Sequence, residues 1–153
     1  MYRSSVSETW AEQLDTGTGL IQLMTLVQGI YANVSERHEL TPVQAKLLCV
    51  LIGGPRGMAE LAQLFGVEKA ALTGLMDRIE KRGLAVRSAV PGDRRAVQVT
   101  LTEEGRRAAS AFHREMGEVL SRLIDPIPEG DREQFRSTVQ GIIMRCRTSP
   151  SGG

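Results

Sequence analysis

The sequence predicts a mainly α-helical fold that contains one β-hairpin, in a chain of 153 residues. Apolar residues repeat at helical spacing along most of the chain, whereas residues 84–101 alternate with a period of two, as paired strands do. Glycine or proline stands where one periodic segment gives way to the next. A chain of this length is typical of a single domain.

Composition and charge place the chain among ordinary globular proteins. Apolar residues make up 41% and charged residues 24% of it, and the net charge is +1. That balance does not itself indicate a nucleic-acid binder, but residues 56–107 hold 10 basic and 7 acidic side chains, a local excess of +3. The first ten residues lack the apolar core of a signal peptide, and no run approaches the roughly 18 apolar residues of a membrane span. We therefore expect a cytoplasmic protein without membrane contact.

The first predicted helix runs from Trp10 to about Arg37 and carries a wide apolar stripe. A monomeric surface helix needs a narrower apolar face, so this helix is expected to be buried, against its own chain or against a second chain. The stripe consists of Leu14, Leu20, Ile21, Leu23, Met24, Leu26, Val27, Ile30, Tyr31 and Val34.

Local signals define the second predicted helix. Thr41 is a good N-cap, Pro42 suits the first helical position, and Gln44 completes a capping box with Thr41. The Gly-Gly-Pro sequence at residues 53–55 ends the helix.

Two short helices follow, from Met58 to Phe65 and from Glu68 to Arg82, with Gly66 in the turn between them. Two short helices joined by a tight turn are typical of a helix-turn-helix. In the second, apolar residues at i, i+3, i+4 and i+7 form one buried face. That face consists of Leu72, Leu75, Met76 and Ile79.

Residues 84–101 predict a β-hairpin with Pro91-Gly92-Asp93 as its turn. Thr102 caps a following helix that runs to about Leu123. Pro126 and Pro128 separate it from a last helix over residues 130–145, and the apolar side of that helix holds Phe135, Val139, Ile142 and Ile143. The whole pattern is a winged helix-turn-helix with N- and C-terminal helices as a frame.

The second short helix is the one that a winged helix-turn-helix inserts into DNA, so its outward face decides base readout. At about 100° per residue, Ala70, Gly74, Asp77 and Lys81 point outward, with Thr73 and Arg78 on the flanks. Alanine and glycine cannot donate hydrogen bonds to base edges, although they allow close approach and an alanine methyl can contact a thymine methyl. We therefore expect little direct readout by this helix.

Arg94 and Arg95 stand beside the predicted hairpin turn. An arginine on a stiff hairpin can enter the minor groove, where the negative potential is strongest over A·T-rich sequence. The alternative is two solvated charges on a loop tip. Asp93 either orients Arg95 or begins the turn.

Further candidates would contact phosphates. Lys69 and Thr73 lie near the helix N-terminus, which favours anions, although Lys69 is otherwise an ordinary surface lysine. Arg78 either reaches a phosphate or pairs with Asp77 or a wing residue. The full set of candidate DNA-binding residues is Thr41, Gln44, Lys69, Ala70, Ala71, Thr73, Gly74, Arg78, Asp93, Arg94 and Arg95.

The order of elements, together with DRRAVQVTLTEEG at residues 93–105, resembles the MarR (multiple antibiotic resistance regulator) family of bacterial repressors. The family's wing pattern is met by Asp93, Arg95, Val97, Val99, Leu101, Thr102 and Gly105. LMDRIEKRGL at residues 75–84 and LTPVQAKLL at residues 40–48 are similar to further family segments, and the resemblance covers about residues 10–147. One departure is AALTG at residues 70–74, where relatives usually carry Ser-Thr and then a polar or basic residue.

The resemblance implies an obligate homodimer, joined by its N- and C-terminal helices, that binds near-palindromic operators in double-stranded DNA. It also implies release of DNA by a small phenolic or aromatic effector or by thiol oxidation. Family analogy places the effector near Trp10, Leu14, Met24 or Tyr31. The expected organisation is a dimerisation region (8–37 and 108–147), a DNA-binding region (38–107) and flexible termini (1–7 and 148–153).

No residue pattern indicates an enzyme, a cofactor or a metal site. The sequence lacks a Ser-His-Asp set, a glycine-rich phosphate loop and an HExxH motif, and His38 and His113 stand alone. Cys49 fits a buried small residue, whereas Cys146, between two arginines, is the better candidate for redox sensing. We expect a sequence-specific transcriptional repressor. The alternative is a ligand- or redox-sensing interaction protein that uses the winged helix for protein contacts.

Overall fold

The computed structural model describes residues 15–148, which form two compact units, one ending at Met116 and the other beginning at Gly117. Its helices are α1 (Thr16–Arg37), α2 (Pro42–Ile52), α3 (Met58–Phe65), α4 (Lys69–Lys81), α5 (Glu103–Leu123) and α6 (Glu129–Thr148). Its strands are β1 (Arg56–Gly57), β2 (Ala85–Val90) and β3 (Asp93–Leu101). The predicted winged helix-turn-helix is confirmed. The flexibility predicted for residues 1–7 and 149–153 falls outside the described residues, and Thr148 is the last residue of α6.

Local signals end the helices where the sequence predicts. Thr41 Oγ1 accepts a hydrogen bond from the Gln44 backbone N–H at 3.2 Å, and Gln44 Oε1 accepts one from the Thr41 N–H at 3.1 Å. This pair is the predicted capping box. Gly66 closes α3 in the left-handed region, with φ of 61°, where a residue with a Cβ is strained.

The sheet has three antiparallel strands in the order β1-β3-β2. Strands β2 and β3 form the predicted hairpin, called the wing below, in which Arg87 lies opposite Val99. Strand β1 was not predicted. It pairs Arg56 with Val99 and Gly57 with Gln98 on the other edge of β3.

The core of the first unit is built by α2–α5 and the sheet. The predicted buried face of α4 is confirmed, since Leu72, Leu75, Met76 and Ile79 are each at most 6% exposed. Other fully buried side chains are Val34, Leu47, Leu48, Leu51, Leu61, Val99 and Phe112. Cys49 is half-buried rather than buried, and desolvation raises the pKa of its thiol.

The Leu-Thr-x-x-Gly segment joins the wing to α5. Thr102 Oγ1 donates to the Gly83 carbonyl at 2.6 Å and accepts from the Gly105 N–H at 3.0 Å. The Thr102 N–H donates to the Leu84 carbonyl at 3.1 Å. A Cβ at Gly105 would lie 1.7 Å from that same carbonyl oxygen, so only glycine fits there.

Both units expose large apolar side chains. The N-terminal half of α1 leaves Leu20, Ile21, Leu23, Met24 and Leu26 between 44% and 62% exposed. In the second unit, α6 exposes Phe135, Val139, Ile142, Ile143 and Met144. Within a single chain, the wide stripe of α1 is therefore not buried as its width predicts.

No helix among residues 15–148 is both long enough and apolar enough to cross a membrane.

Candidate nucleic-acid interface

The surface of α4 opposite its buried face is made of small and charged side chains. Ala70, Ala71, Asp77, Arg78 and Lys81 are exposed. Gly74 is partly covered, yet a Cβ there would meet no atom within 4 Å. The helix backbone is therefore open to close approach at its middle turn.

The start of α4 carries Lys69 and Thr73. The Thr73 hydroxyl donates to the Lys69 carbonyl at 2.9 Å, so its hydrogen is engaged within the helix and its oxygen remains an acceptor. Within residues 15–148, the side chains of Lys69 and Arg78 have no hydrogen-bond or ion-pair partner. Arg78 thus forms neither of the two protein pairs considered for it.

At the wing tip, Asp93 Oδ1 accepts the backbone N–H of Arg95 at 3.0 Å. Asp93 therefore shapes the backbone of the turn, and no ion pair links it to the Arg95 guanidinium. The side chains of Arg94 and Arg95 belong to exposed residues, and neither has a partner in the described part of the chain. Both guanidinium groups keep their full hydrogen-bonding capacity for another molecule.

An ion-pair cluster joins the wing to α4, and the sequence did not reveal it. Arg87 Nη2 lies 2.5 Å from Asp77 Oδ1 and 2.8 Å from Glu80 Oε2, and the Arg87 backbone N–H donates to Glu80 Oε1 at 2.5 Å. The hydrogen bonds from the Arg87 side chain and backbone hold the pKa of the Glu80 carboxyl below its ordinary value. Glu80 raises the pKa of Arg87 in turn. We call these three residues the Arg87 cluster.

A groove of about 680 Å³ lies between α3, the start of α4 and the wing. Met58, Ala62 and Val97 provide apolar walls, and Lys69 and Arg95 place positive charge at the groove. The groove thus brings the candidate residues of the helix and of the wing to one surface.

Thr41 and Gln44 lie at the start of α2. Gln44 is only 7% exposed, and its Oε1 also accepts from Arg82 Nη1 at 3.2 Å. Its side-chain oxygen is therefore occupied within the protein, and the contact ties the start of α2 to the C-terminal end of α4.

The four residues suggested for an effector are not brought together. Trp10 and Leu14 lie outside the described residues. Met24 is 52% exposed, whereas Tyr31 is half-buried, with its ring edge-on to Phe112 at 5.1 Å. Burial of the Tyr31 hydroxyl raises its pKa to about 12.

His38 joins the end of α1 to α5. Its Nε2 lies 2.6 Å from Glu115 Oε2, and Arg37 Nη2 lies 2.5 Å from Glu115 Oε1. The hydrogen bonds from His38 and Arg37 hold the pKa of the Glu115 carboxyl below its ordinary value. His38 also contacts the Phe112 ring edge-on at 5.9 Å, so it packs between helices. Among the described residues, no three His, Cys, Asp or Glu side chains are grouped as a metal site requires.

Comparison with known proteins adds three findings. Residues 38–96 match the model described as "MarR family". A segment of 68 residues is 43% identical to the transcriptional repressor NicR of Pseudomonas putida, and it spans 44% of this chain but only 43% of that protein. The fold is similar to that of MarR from E. coli, with a TM-score of 0.74, 20% identity and coverage of 85% and 97% of the two chains.

Solved structures of the repressor CouR are also similar. CouR bound to a 23-mer DNA duplex is 25% identical, with a TM-score of 0.70 and coverage of 92% of this chain and 99% of that one. CouR from Rhodococcus jostii bound to p-coumaroyl-CoA is 25% identical, with a TM-score of 0.67 and coverage of 84% and 91%.

Proposed function

This chain belongs to the MarR family, and from that membership we propose that it is a transcriptional regulator that binds operator DNA as a homodimer. One observation carries the proposal. Lys69, Arg78, Arg94 and Arg95 lie exposed on the recognition helix and the wing, and each lacks a side-chain partner within residues 15–148. Most other cations of this region are paired within the protein, so these four remain for phosphates and bases.

In the proposed complex, α4 enters the major groove and the wing tip enters the adjacent minor groove. The small residues Ala70 and Gly74 allow the helix backbone to approach the bases closely, and Arg95 reads the width of the minor groove. Lys69 and the Thr73 oxygen lie on the groove between helix and wing, where the connecting sugar-phosphate strand would pass. Specificity then depends more on DNA shape than on hydrogen bonds to base edges.

The proposed homodimer explains the exposed apolar side chains. A second copy covering the α1 face would remove side chains such as Ile21, which is 62% exposed, from water. A two-fold dimer places its recognition helices about one helical turn apart and therefore binds an inverted repeat. NicR and CouR are both repressors by name, which favours repression as the outcome.

A small aromatic effector is part of the same proposal. It draws on CouR, which has been solved with p-coumaroyl-CoA, and on the half-buried Tyr31 beside Phe112. An effector that binds the DNA-free state better than the DNA-bound state would release the operator.

Selection of bound duplexes from a random DNA pool tests the function directly. At low salt we expect an enriched inverted repeat with A·T-rich flanks, and at high salt we expect that enrichment to disappear, since phosphate contacts release counterions. Arg114→Ala is a suitable control, because Arg114 is exposed on α5 and has no partner among residues 15–148. Failure of the wild type to enrich any motif would contradict the proposal and favour a protein-binding role for the winged helix.

A further inference from the structure

The Arg87 cluster is the outermost side-chain anchor of the wing. Arg87 lies in the middle of β2, and its guanidinium contacts two carboxylates one turn apart on α4. Beyond it, no side-chain hydrogen bond of the described residues 88–98 reaches outside the hairpin. Backbone pairing with β1 reaches only Gln98, and the Thr102–Gly105 contacts lie at the base of the wing.

We propose that Arg87 is a positioning residue that sets the distance between the bases under α4 and the minor-groove segment entered by Arg95. The inference rests on the proposed DNA-binding function. It assigns to Arg87 a role in operator spacing rather than in contact with DNA, because its guanidinium is engaged by Asp77 and Glu80.

The geometry gives the anchor leverage over the tip. Arg87 lies opposite Val99, and Arg95 is four residues further along β3, which is about 13 Å of extended strand. A tilt of about 15° at the anchor would move the tip by about 3.4 Å, which equals one base-pair step along DNA. Small freedom at Arg87 therefore becomes a change of one base pair in the preferred operator.

The cluster also manages charge on the DNA-facing helix. Asp77 is 61% exposed on the outward side of α4, where an unpaired carboxylate would repel phosphates. Pairing with Arg87 offsets that charge. Loss of Arg87 would therefore lower affinity by repulsion as well as loosen the wing, and the two effects must be separated.

The test uses duplexes that carry the motif selected by the wild type, with the A·T-rich flank moved by one or two base pairs relative to the core. We expect the wild type to bind the selected spacing about tenfold better than a shifted one, the cost of a typical mismatch. Arg87→Ala should bind all spacings within about threefold of each other while keeping its preference for the core sequence.

Two further variants separate position from charge. Arg87→Ala combined with Asp77→Asn and Glu80→Gln removes the unpaired carboxylates, so affinity should recover while the spacing preference stays lost. Arg87→Lys keeps the charge, but one ammonium cannot bridge both carboxylates as a guanidinium does, so it should retain affinity and lose part of the preference. Arg136→Ala, which removes an arginine paired with Glu133 within α6, is the matched control. Equal circular dichroism spectra and melting temperatures establish that each variant is folded.

The outcomes distinguish the two proposals. A uniformly weaker Arg87→Ala that keeps the wild-type spacing preference would overturn the positioning role and leave the regulator proposal intact. If the wild type selects no DNA motif at all, both proposals fail.

Discussion

At the wing tip, single residues decide whether the helix or the wing dominates recognition. The Arg95 guanidinium is free, whereas the Thr73 hydroxyl already donates to the Lys69 carbonyl. We expect Arg95→Ala to weaken operator binding by about 1–3 kcal/mol, tenfold or more, and Thr73→Ala to weaken it less than about threefold. Titration of a fluorescent operator duplex with each variant measures both losses. Comparable losses would mean that the wing does not lead recognition.

Gly105 is the residue whose substitution the fold tolerates least. Its Cβ would meet the Leu84 carbonyl oxygen at 1.7 Å, and backbone cannot move aside as a side chain can. We expect Gly105→Ala to lower the free energy of unfolding by about 3 kcal/mol or more, measured by urea denaturation. Gly74→Ala is the matched control: it has open space in a helix and should stabilise the protein by up to about 1 kcal/mol. Similar effects of the two substitutions would refute the steric reason.

Sequence reasoning placed the residues with local partners and missed those with distant ones. Thr41 and Gln44 are three residues apart, so their capping box follows from spacing alone. The Arg87 cluster depends on which face of β2 meets α4, and apolar alternation gives a misleading signal there. Val86 is 45% exposed, whereas the small Ala85 on the opposite face is fully buried against the core. A strand that approaches a helix closely prefers a small residue, and that preference is not visible in hydrophobicity.

Among the elements, the helices were predictable and β1 was not. Helix ends are set by caps and glycines within a few residues, and the buried face of α4 follows from its periodicity. Strand β1 has two residues, Arg56 and Gly57, which show no period of their own. Its pairing with Gln98 and Val99 depends on the folded positions of segments far apart in the chain.

The contact between α4 and β2 should respond to acid. Arg87 holds the pKa of Glu80 below its ordinary value of 4.5, so the contact stabilises the folded state fully above that pH. The contribution is lost as the pH falls through the depressed folded-state pKa, because protonation then removes the charge that Arg87 binds. We expect the free energy of unfolding to fall more steeply below about pH 4.5 in the wild type than in Glu80→Gln.

Urea denaturation at a series of pH values between neutral and strongly acidic measures this difference. Glu118→Gln is the control, since Glu118 is exposed on α5 and has no partner in residues 15–148. Identical pH profiles for the wild type and Glu80→Gln would show that the contact contributes no pH-dependent stability.

For the whole molecule, the apolar stripe of α1 predicted that another surface must cover it, but not which surface. Apolar periodicity records that a face avoids water and carries no information about the partner. The described residues leave the N-terminal half of the stripe exposed within one chain. The family's homodimer is the occupant that we propose, and oligomeric state is therefore the property that decides it.

The last prediction concerns that assembly. Ile21 is the most exposed large apolar side chain of α1, so Ile21→Glu would place a charge inside the proposed interface, where its desolvation is costly. We expect sedimentation or light scattering to give twice the mass of one chain for the wild type and a shift towards one chain for Ile21→Glu. Operator affinity should fall with it, because a monomer binds only one half-site and loses the effective concentration that dimerisation provides. Gln63→Glu adds the same charge at an exposed polar position of α3 and should leave the mass unchanged. A monomeric wild type, or an Ile21→Glu variant that remains fully dimeric, would move the interface away from this face of α1.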